Sequence, residues 1–177
     1  MFFQRSLPAL LLVLLAGASG RAAPPADPWA ACRFLLGEWV GEGGGQPGRG
    51  TGEFTFALDL QDKVMVRRNR AELPATAGRP AAVHEDLMVV YRPEAGQPPK
   101  AIYFDNEGHV IHYTVSASED QRVLTFASDP QPTGPRFRFS YTKEGADAVA
   151  IKFEIAPPGK PDEFKTYLEG KARRKGR

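Results

Sequence analysis

The sequence has few of the cysteines and histidines from which disulfides, many metal centres and many nucleophilic sites are built. Its 177 residues include one cysteine and three histidines. Cys32 cannot form an internal disulfide, and its apolar segment, 29–36, favours a buried, inert thiol over a nucleophile. His109 and His112 are three residues apart in a predicted strand, so they point to opposite faces and cannot chelate one ion together. The sequence therefore indicates no metal site.

Long apolar runs are also absent, except at the N-terminus. Arg5 precedes an apolar run over 7–16, and small residues follow, with A-x-A-like cleavage sites at 16–18 and 20–22. The run is too short for a stable membrane-spanning helix. We therefore expect residues 1–22 to be a signal peptide that directs export, to the periplasm or outside the cell. No membrane span is expected after its removal.

The charge balance does not indicate a nucleic-acid partner. The whole sequence carries 23 basic and 21 acidic residues. Removal of residues 1–22 takes away Arg5 and Arg21 but no acid, which leaves 23 − 2 = 21 basic residues against 21 acidic ones. A chain without net charge has no general attraction for a polyanion. We interpret the basic tail at 175–177 as a solvated terminus.

Helical patterns are scarce, and strand patterns dominate the rest of the chain. Residues 23–36 read as an extended leader and one short helix, with Asp27 as its cap and Gly37 as its end. About ten short strands follow, separated by Gly, Pro, Asn and Asp. Ten strands with short connections predict a single all-β domain at 37–174, an antiparallel up-and-down barrel whose closure leaves no exposed edge. A β-sandwich is the alternative.

The first predicted strand is unusually rich in glycine. Gly37, Gly41, Gly43 and Gly45 fall on one face of an extended strand, because side chains alternate with period two. A face without side chains can bend sharply, as closure of a barrel requires. Trp39 supplies a large apolar plug at the start of this strand.

These residues carry a resemblance to a known family. At Gly37-Glu38-Trp39 the sequence resembles the calycin superfamily, whose members begin their first strand with Gly-x-Trp after a short helix. The resemblance implies that an arginine near the end of the last strand, here Arg173 or Arg174, packs over Trp39 and closes the barrel. The longer pattern at 35–43, together with 104–111, resembles nitrobindin-type haem-binding barrels and a related bacterial group of uncharacterised exported proteins.

The resemblance to nitrobindins implies haem as a cofactor, but the chain departs from their pattern. Nitrobindins ligate haem through a late histidine and carry a Tyr-Pro after the glycine-rich strand. This sequence has no histidine after His112, and Gln46-Pro47 replaces the Tyr-Pro. The usual haem ligand is therefore missing, and Tyr141 and Tyr167 are the remaining late candidates.

Strand alternation suggests where a ligand would bind. Arg68 and Arg70 share a face with the valines of their strand, and Glu85 shares a face with Leu87 and its apolar neighbours. If these faces line the barrel, an inward guanidinium needs a carboxylate, supplied by the protein or by a ligand. If this part of the strand lies on the rim, the arginines are solvated instead. The predicted ligand-binding residues are Arg68, Arg70, Glu85, Phe54, Phe56, Phe104, Phe126 and Tyr141; Leu58, Val66, Val89, Ile102 and Phe139 complete the predicted lining.

Three functions remain open from the sequence. The first is an exported barrel that binds a small apolar or amphipathic molecule, an anionic one if an arginine points inward. The second is a haem protein that acts on reactive nitrogen species. The third is a filled structural barrel that works through surface partners. No spacing typical of a catalytic triad, phosphate loop or carboxylate pair is present, so nothing in the pattern predicts an enzyme.

Overall fold

The computed structural model describes residues 27–42, 51–78, 80–94 and 96–176. The predicted signal peptide and the glycines at 43 and 45 lie outside these ranges. No helix among the described residues is long and apolar enough to cross a membrane.

The described residues form one closed barrel of ten antiparallel strands. Each strand pairs with its neighbours in sequence, and β1 pairs with β10 to complete the ring. The prediction of an all-β, up-and-down barrel with a short N-terminal helix is confirmed, and the sandwich alternative is wrong. The strands are β1 (Gly37–Gly41), β2 (Thr51–Asp59), β3 (Val64–Leu73), β4 (Ala82–Tyr91), β5 (Lys100–Asp105), β6 (Val110–Ala117), β7 (Val123–Ser128), β8 (Arg136–Lys143), β9 (Ala148–Ala156) and β10 (Lys165–Arg174).

A short 3-10 helix, Ala30–Leu35, packs against one end of the barrel. Just before it, Asp27 Oδ1 accepts a hydrogen bond of 3.0 Å from the Trp29 backbone N–H, as short polar side chains do at turns. The Trp29 indole is buried, and its Nε1 donates to the carbonyl oxygen of Asp62, in the β2–β3 turn, at 2.8 Å. We call this the closed end. The far end carries the β3–β4, β5–β6, β7–β8 and β9–β10 connections.

The same helix buries Cys32. The residue is 4% exposed, and burial raises the pKa of its thiol to about 11. The thiolate, which is the reactive form, is therefore disfavoured at neutral pH.

Trp39 and Arg174 meet where β1 pairs with β10. The two residues are direct partners in the register, and the Arg174 guanidinium lies 4.5 Å from the centroid of the Trp39 ring. Its Nη1 and Nη2 donate to the carbonyl oxygens of Leu36 (2.5 Å) and Phe34 (3.1 Å). Arg174 therefore ties the last strand to the end of the helix as well as to Trp39. Arg173, the other arginine considered for this role, is exposed on the outside.

Gly37 is required by this arrangement. Its φ is +114°, a backbone conformation that side chains disfavour, and a Cβ atom there would lie 2.6 Å from Arg174 Nη1. Trp39 is 1% exposed and donates from Nε1 to the carbonyl oxygen of Leu35 at 2.7 Å. The only polar group of the Trp39 side chain is therefore hydrogen-bonded inside the closed end.

The faces of β3 and β4 are opposite to those expected from the sequence. Met65 and Arg67 are the buried residues of β3, and Asp86, Met88 and Val90 are those of β4. Both strands carry apolar residues on both faces, so alternation alone did not show which face is inside. An error of one residue in this choice reverses every side chain of a strand.

Residues predicted to point into the barrel accordingly lie outside it. Arg68, Arg70 and Glu85 are exposed on the outer face, and Phe104 is 41% exposed. Val66, Val89 and Ile102 share this outer face and are half-buried. The expectation that this set lines the interior was wrong.

The role of Arg174 in closing the barrel can be tested by comparing its substitution with that of Arg173. Arg174→Ala removes a partly buried cation–π contact and two hydrogen bonds to carbonyl oxygens, so we expect a loss of about 2–4 kcal/mol in the free energy of unfolding. Urea denaturation followed by tryptophan fluorescence measures it. Arg173→Ala is the matched control and should leave the midpoint unchanged. Equal effects of the two substitutions would contradict this assignment.

Candidate functional site

A buried arginine lies at the centre of the barrel. Arg67 is 6% exposed, and its guanidinium carbon lies 5.7 Å from the Phe54 ring centroid and 5.4 Å from that of Phe139. Its Nη1 donates to Oδ1 of Asp86, and its Nε donates to the Tyr141 hydroxyl at 2.8 Å. Burial raises the pKa of Tyr141, so this hydroxyl stays neutral and the charge on Arg67 is balanced by Asp86.

Asp86 connects the interior to the far end. Its side chain is 3% exposed. Besides its bond to Arg67, it accepts a hydrogen bond from Asn69 Nδ2 at 2.9 Å and lies 3.4 Å from His84 Nε2. These contacts hold the Asp86 carboxylate in a fixed position between β3 and β4.

A polar network continues along β4 and β5 towards the far end. His84 Nε2 is 3.1 Å from the Tyr103 hydroxyl, and Nδ1 is 3.2 Å from Oε1 of Glu107. Hydrogen bonding to Asp86 and then to Glu107 raises the pKa of His84, although partial burial opposes the shift. The Tyr103 hydroxyl in turn donates to Oδ2 of Asp105 at 3.3 Å.

The opposite wall of the barrel, on β8–β10, is apolar and open. Phe137 stacks on Phe153 with ring centroids 5.9 Å apart, and Phe139 meets Phe153 edge-on at 6.1 Å. These rings point inward but remain only half-buried. On β10, Gly170 also faces inward, and a Cβ atom there would meet no atom within 4 Å. We call the inward face formed by Phe137, Phe139, Ile151, Phe153 and Gly170, with the open space beside Gly170, the chamber.

The closed half of the barrel is filled. Phe54, Phe56, Phe126 and Tyr141, all predicted to bind ligand, are each at most 5% exposed. Their rings pack on one another, with the Tyr141 ring 5.4 Å from Phe56 and 6.3 Å from Phe126. They form the floor beneath the chamber.

Four of the predicted ligand-binding residues lie on the outer surface, where they face a depression of about 650 Å³. Arg68, Arg70, Glu85 and Phe104 line it. Arg70 is already bonded to Glu85 (2.6 Å) and to Glu72 (3.1 Å). The buried residues that share this lining point their side chains inward, so the depression lies on the outside of the barrel wall.

The described residues do not supply the haem ligand that the sequence resemblance implies. His84 and His109 belong to the polar network, and His112 is exposed on the outer face. Tyr141 is buried and bonded to Arg67. Tyr167 remains: it is 54% exposed, sits at a β-bulge in β10, and packs edge-on against Phe153 at 6.0 Å.

Comparison with known proteins identifies the fold and nothing finer. No protein-family model and no curated protein matches the chain. A solved structure, that of Rv2717c from M. tuberculosis, matches with a TM-score of 0.56 and 17% sequence identity, over 85% of this chain and 99% of that one. The chain shares its closed antiparallel barrel fold with this structure. At this identity the likeness shows the fold alone.

Sequence reasoning missed Arg67 and Asp86, the buried pair of the interior. Arg67 stands next to Arg68 in a run of basic residues, and nothing local marks one of them as buried. The available signal was complementarity: Arg67, Asn69 and Asp86 share one face of paired strands. The sequence around Gly170 did not indicate its role, because the open space beside it forms only when β10 pairs with β9.

Proposed function

We propose that this protein binds a small, mainly apolar molecule in the chamber on β8–β10. The observation that carries the proposal is the inward, half-buried aromatic wall of Phe137, Phe139 and Phe153 beside the space at Gly170. Apolar side chains that face a solvent-accessible interior are unfavourable unless a ligand covers them.

The electrostatics of the interior favour a neutral ligand over an anionic one. Fatty-acid-type recognition needs an inward cation without a protein counter-ion. Arg68 and Arg70 lie outside, and Arg67 is neutralised by Asp86. No other arginine or lysine is fully buried among the described residues. A neutral aliphatic or aromatic molecule, with a polar group directed to the far end, fits this arrangement best.

Filling the chamber should abolish binding. The neutral fluorophore N-phenyl-1-naphthylamine serves as the probe, and we expect saturable fluorescence enhancement with the unaltered protein. Gly170→Leu places a side chain in open space without backbone strain, since the φ of Gly170 is not positive. This variant should bind the probe at least about tenfold more weakly, because the added atoms occupy the space of the ligand.

Glu169→Leu is the matched control, because Glu169 is the exposed neighbour on the outer face of β10. It should bind the probe as the unaltered protein does. Thermal unfolding shows whether both variants are folded. Equal probe affinity in the two variants, or no probe binding to the unaltered protein, would overturn the proposal and favour a structural barrel that acts through its surface.

Haem is the second candidate, and the position of Tyr167 is the observation that favours it. A tyrosinate can ligate haem iron. The Tyr167 hydroxyl makes no hydrogen bond to the described residues, and its ring lies against the aromatic wall. The chamber would then hold a flat, largely apolar macrocycle.

Addition of haemin distinguishes this candidate from the first. If Tyr167 is the ligand, a Soret band develops at one equivalent of haemin and is lost in Tyr167→Phe, which keeps the ring but removes the ligand oxygen. Tyr91→Phe, a half-buried tyrosine on β4, is the control. A Soret band that persists in Tyr167→Phe excludes this ligand, and absence of any band excludes haem.

A further inference from the structure

Three potential metal ligands converge on β4 and β5, across the barrel from the chamber. One ligand atom each of His84, Asp105 and Glu107 lies within 4.8 Å of the others. They come from β4, the end of β5 and the following turn, so the strand pairing brings them together and no local sequence motif does. An imidazole nitrogen with two carboxylates is a ligand set suited to zinc and similar divalent transition metals.

The His84 imidazole is oriented as a metal ligand would be. A carboxylate, a backbone carbonyl or a water molecule commonly holds the ring nitrogen that faces away from the metal. Here Nε2 lies 3.1 Å from the Tyr103 hydroxyl and 3.4 Å from Asp86 Oδ2. When Asp86 holds the hydrogen on Nε2, the lone pair on Nδ1 points towards Glu107 Oε1, 3.2 Å away. A divalent cation can take the place of the proton that otherwise lies between Nδ1 and this carboxylate.

Asp105 is held in place before any ion arrives. Its side chain is 4% exposed. Oδ1 accepts hydrogen bonds from the backbone N–H groups of Glu107 (3.0 Å) and His109 (2.9 Å), and Oδ2 is 2.9 Å from His109 Nδ1. Gly108, with a φ of +92°, completes the turn. Oδ2 also accepts a hydrogen bond from the Tyr103 hydroxyl at 3.3 Å. The carboxylate therefore has a fixed position, and a bound ion would take the place of this long hydrogen bond.

The local charge also favours a cation. Asp86 is balanced by Arg67. Neither Asp105 nor Glu107 forms an ion pair with a lysine or arginine among the described residues; their ionic partners are His109 and His84. Two carboxylates faced mainly by imidazoles leave negative charge that a divalent ion would neutralise.

We propose that His84, Asp105 and Glu107 bind one divalent transition-metal ion at the far end of the barrel. Water molecules complete the coordination. His109 is a positioning residue, because its Nδ1 bonds to Asp105 and it reaches the ion only through that carboxylate. This site is independent of the chamber, since it shares no residue with the β8–β10 wall.

Calorimetric titration of the chelator-treated protein with Zn²⁺ tests the proposal. We expect one equivalent of Zn²⁺ to bind. Glu107→Gln removes one ligand charge from an exposed side chain that does not hold the turn through its own carboxylate. It should weaken binding at least about tenfold, because the loss even of a group that only supports a ligand has an effect of that size. His84→Gln should do the same.

His112→Gln and Glu119→Gln are the matched controls, because both residues are exposed and lie outside the cluster. They should leave the affinity unchanged. Co²⁺ substitution gives a second readout: visible d–d bands should appear in the unaltered protein and weaken in Glu107→Gln. The proposal is overturned if no Zn²⁺ binds, if Glu107→Gln and His84→Gln bind Zn²⁺ as tightly as the controls, or if Mg²⁺ competes equally with Zn²⁺.

Discussion

A guanidinium buried inside an otherwise apolar barrel needs a counter-ion, and this requirement organises the interior. Arg67 is buried, and its guanidinium lies against the rings of Phe54 and Phe139. Its charge would be very costly there without a partner. Asp86 supplies the counter-charge and Tyr141 a further acceptor, so the closed half of the barrel is polar at its centre and yet has no unsatisfied group among its described residues.

This pairing determines what the two halves of the interior can do. Below Arg67 the aromatic residues are packed, and above it the β8–β10 wall remains half-exposed. Because Asp86 neutralises Arg67, the one buried basic residue among the described residues, the chamber offers apolar surface without a buried cation. Asp86 also contacts His84. The same carboxylate therefore connects Arg67 in the interior with the cluster of His84, Asp105 and Glu107 at the far end.

Much of the fold could be predicted from the sequence, but little of the site could. Short strands with turn residues between them predicted the barrel, and Gly-x-Trp predicted the contact region of β1 and β10, where Trp39 meets Arg174. Alternation failed in β3 and β4 because Val66 and Val89 are as apolar as Met65 and Val90, which face inward. Arg68 and Glu85 were assigned inward on that basis. Which face points inward depends on which side chains meet on neighbouring strands, and the sequence of one strand does not show this.

The cluster of His84, Asp105 and Glu107 shows a second limit of prediction from the sequence. His84 and Glu107 are far apart in sequence, and only the pairing of β4 with β5 brings them within bonding distance. The spacing of the three histidines along the sequence did not by itself indicate a metal site. The fold therefore creates a site that a search for local motifs does not detect.

The most direct test of this account is the effect of removing the counter-ion on stability. Asp86→Ala leaves Arg67 buried and unpaired, and should lower the free energy of unfolding by about 3–5 kcal/mol in urea denaturation. The double change Arg67→Met with Asp86→Leu should recover most of this loss, because no charge then remains inside. Glu85→Ala, which breaks an exposed pair with Arg70, should leave the midpoint nearly unchanged. An Asp86→Ala protein as stable as Glu85→Ala would contradict the account.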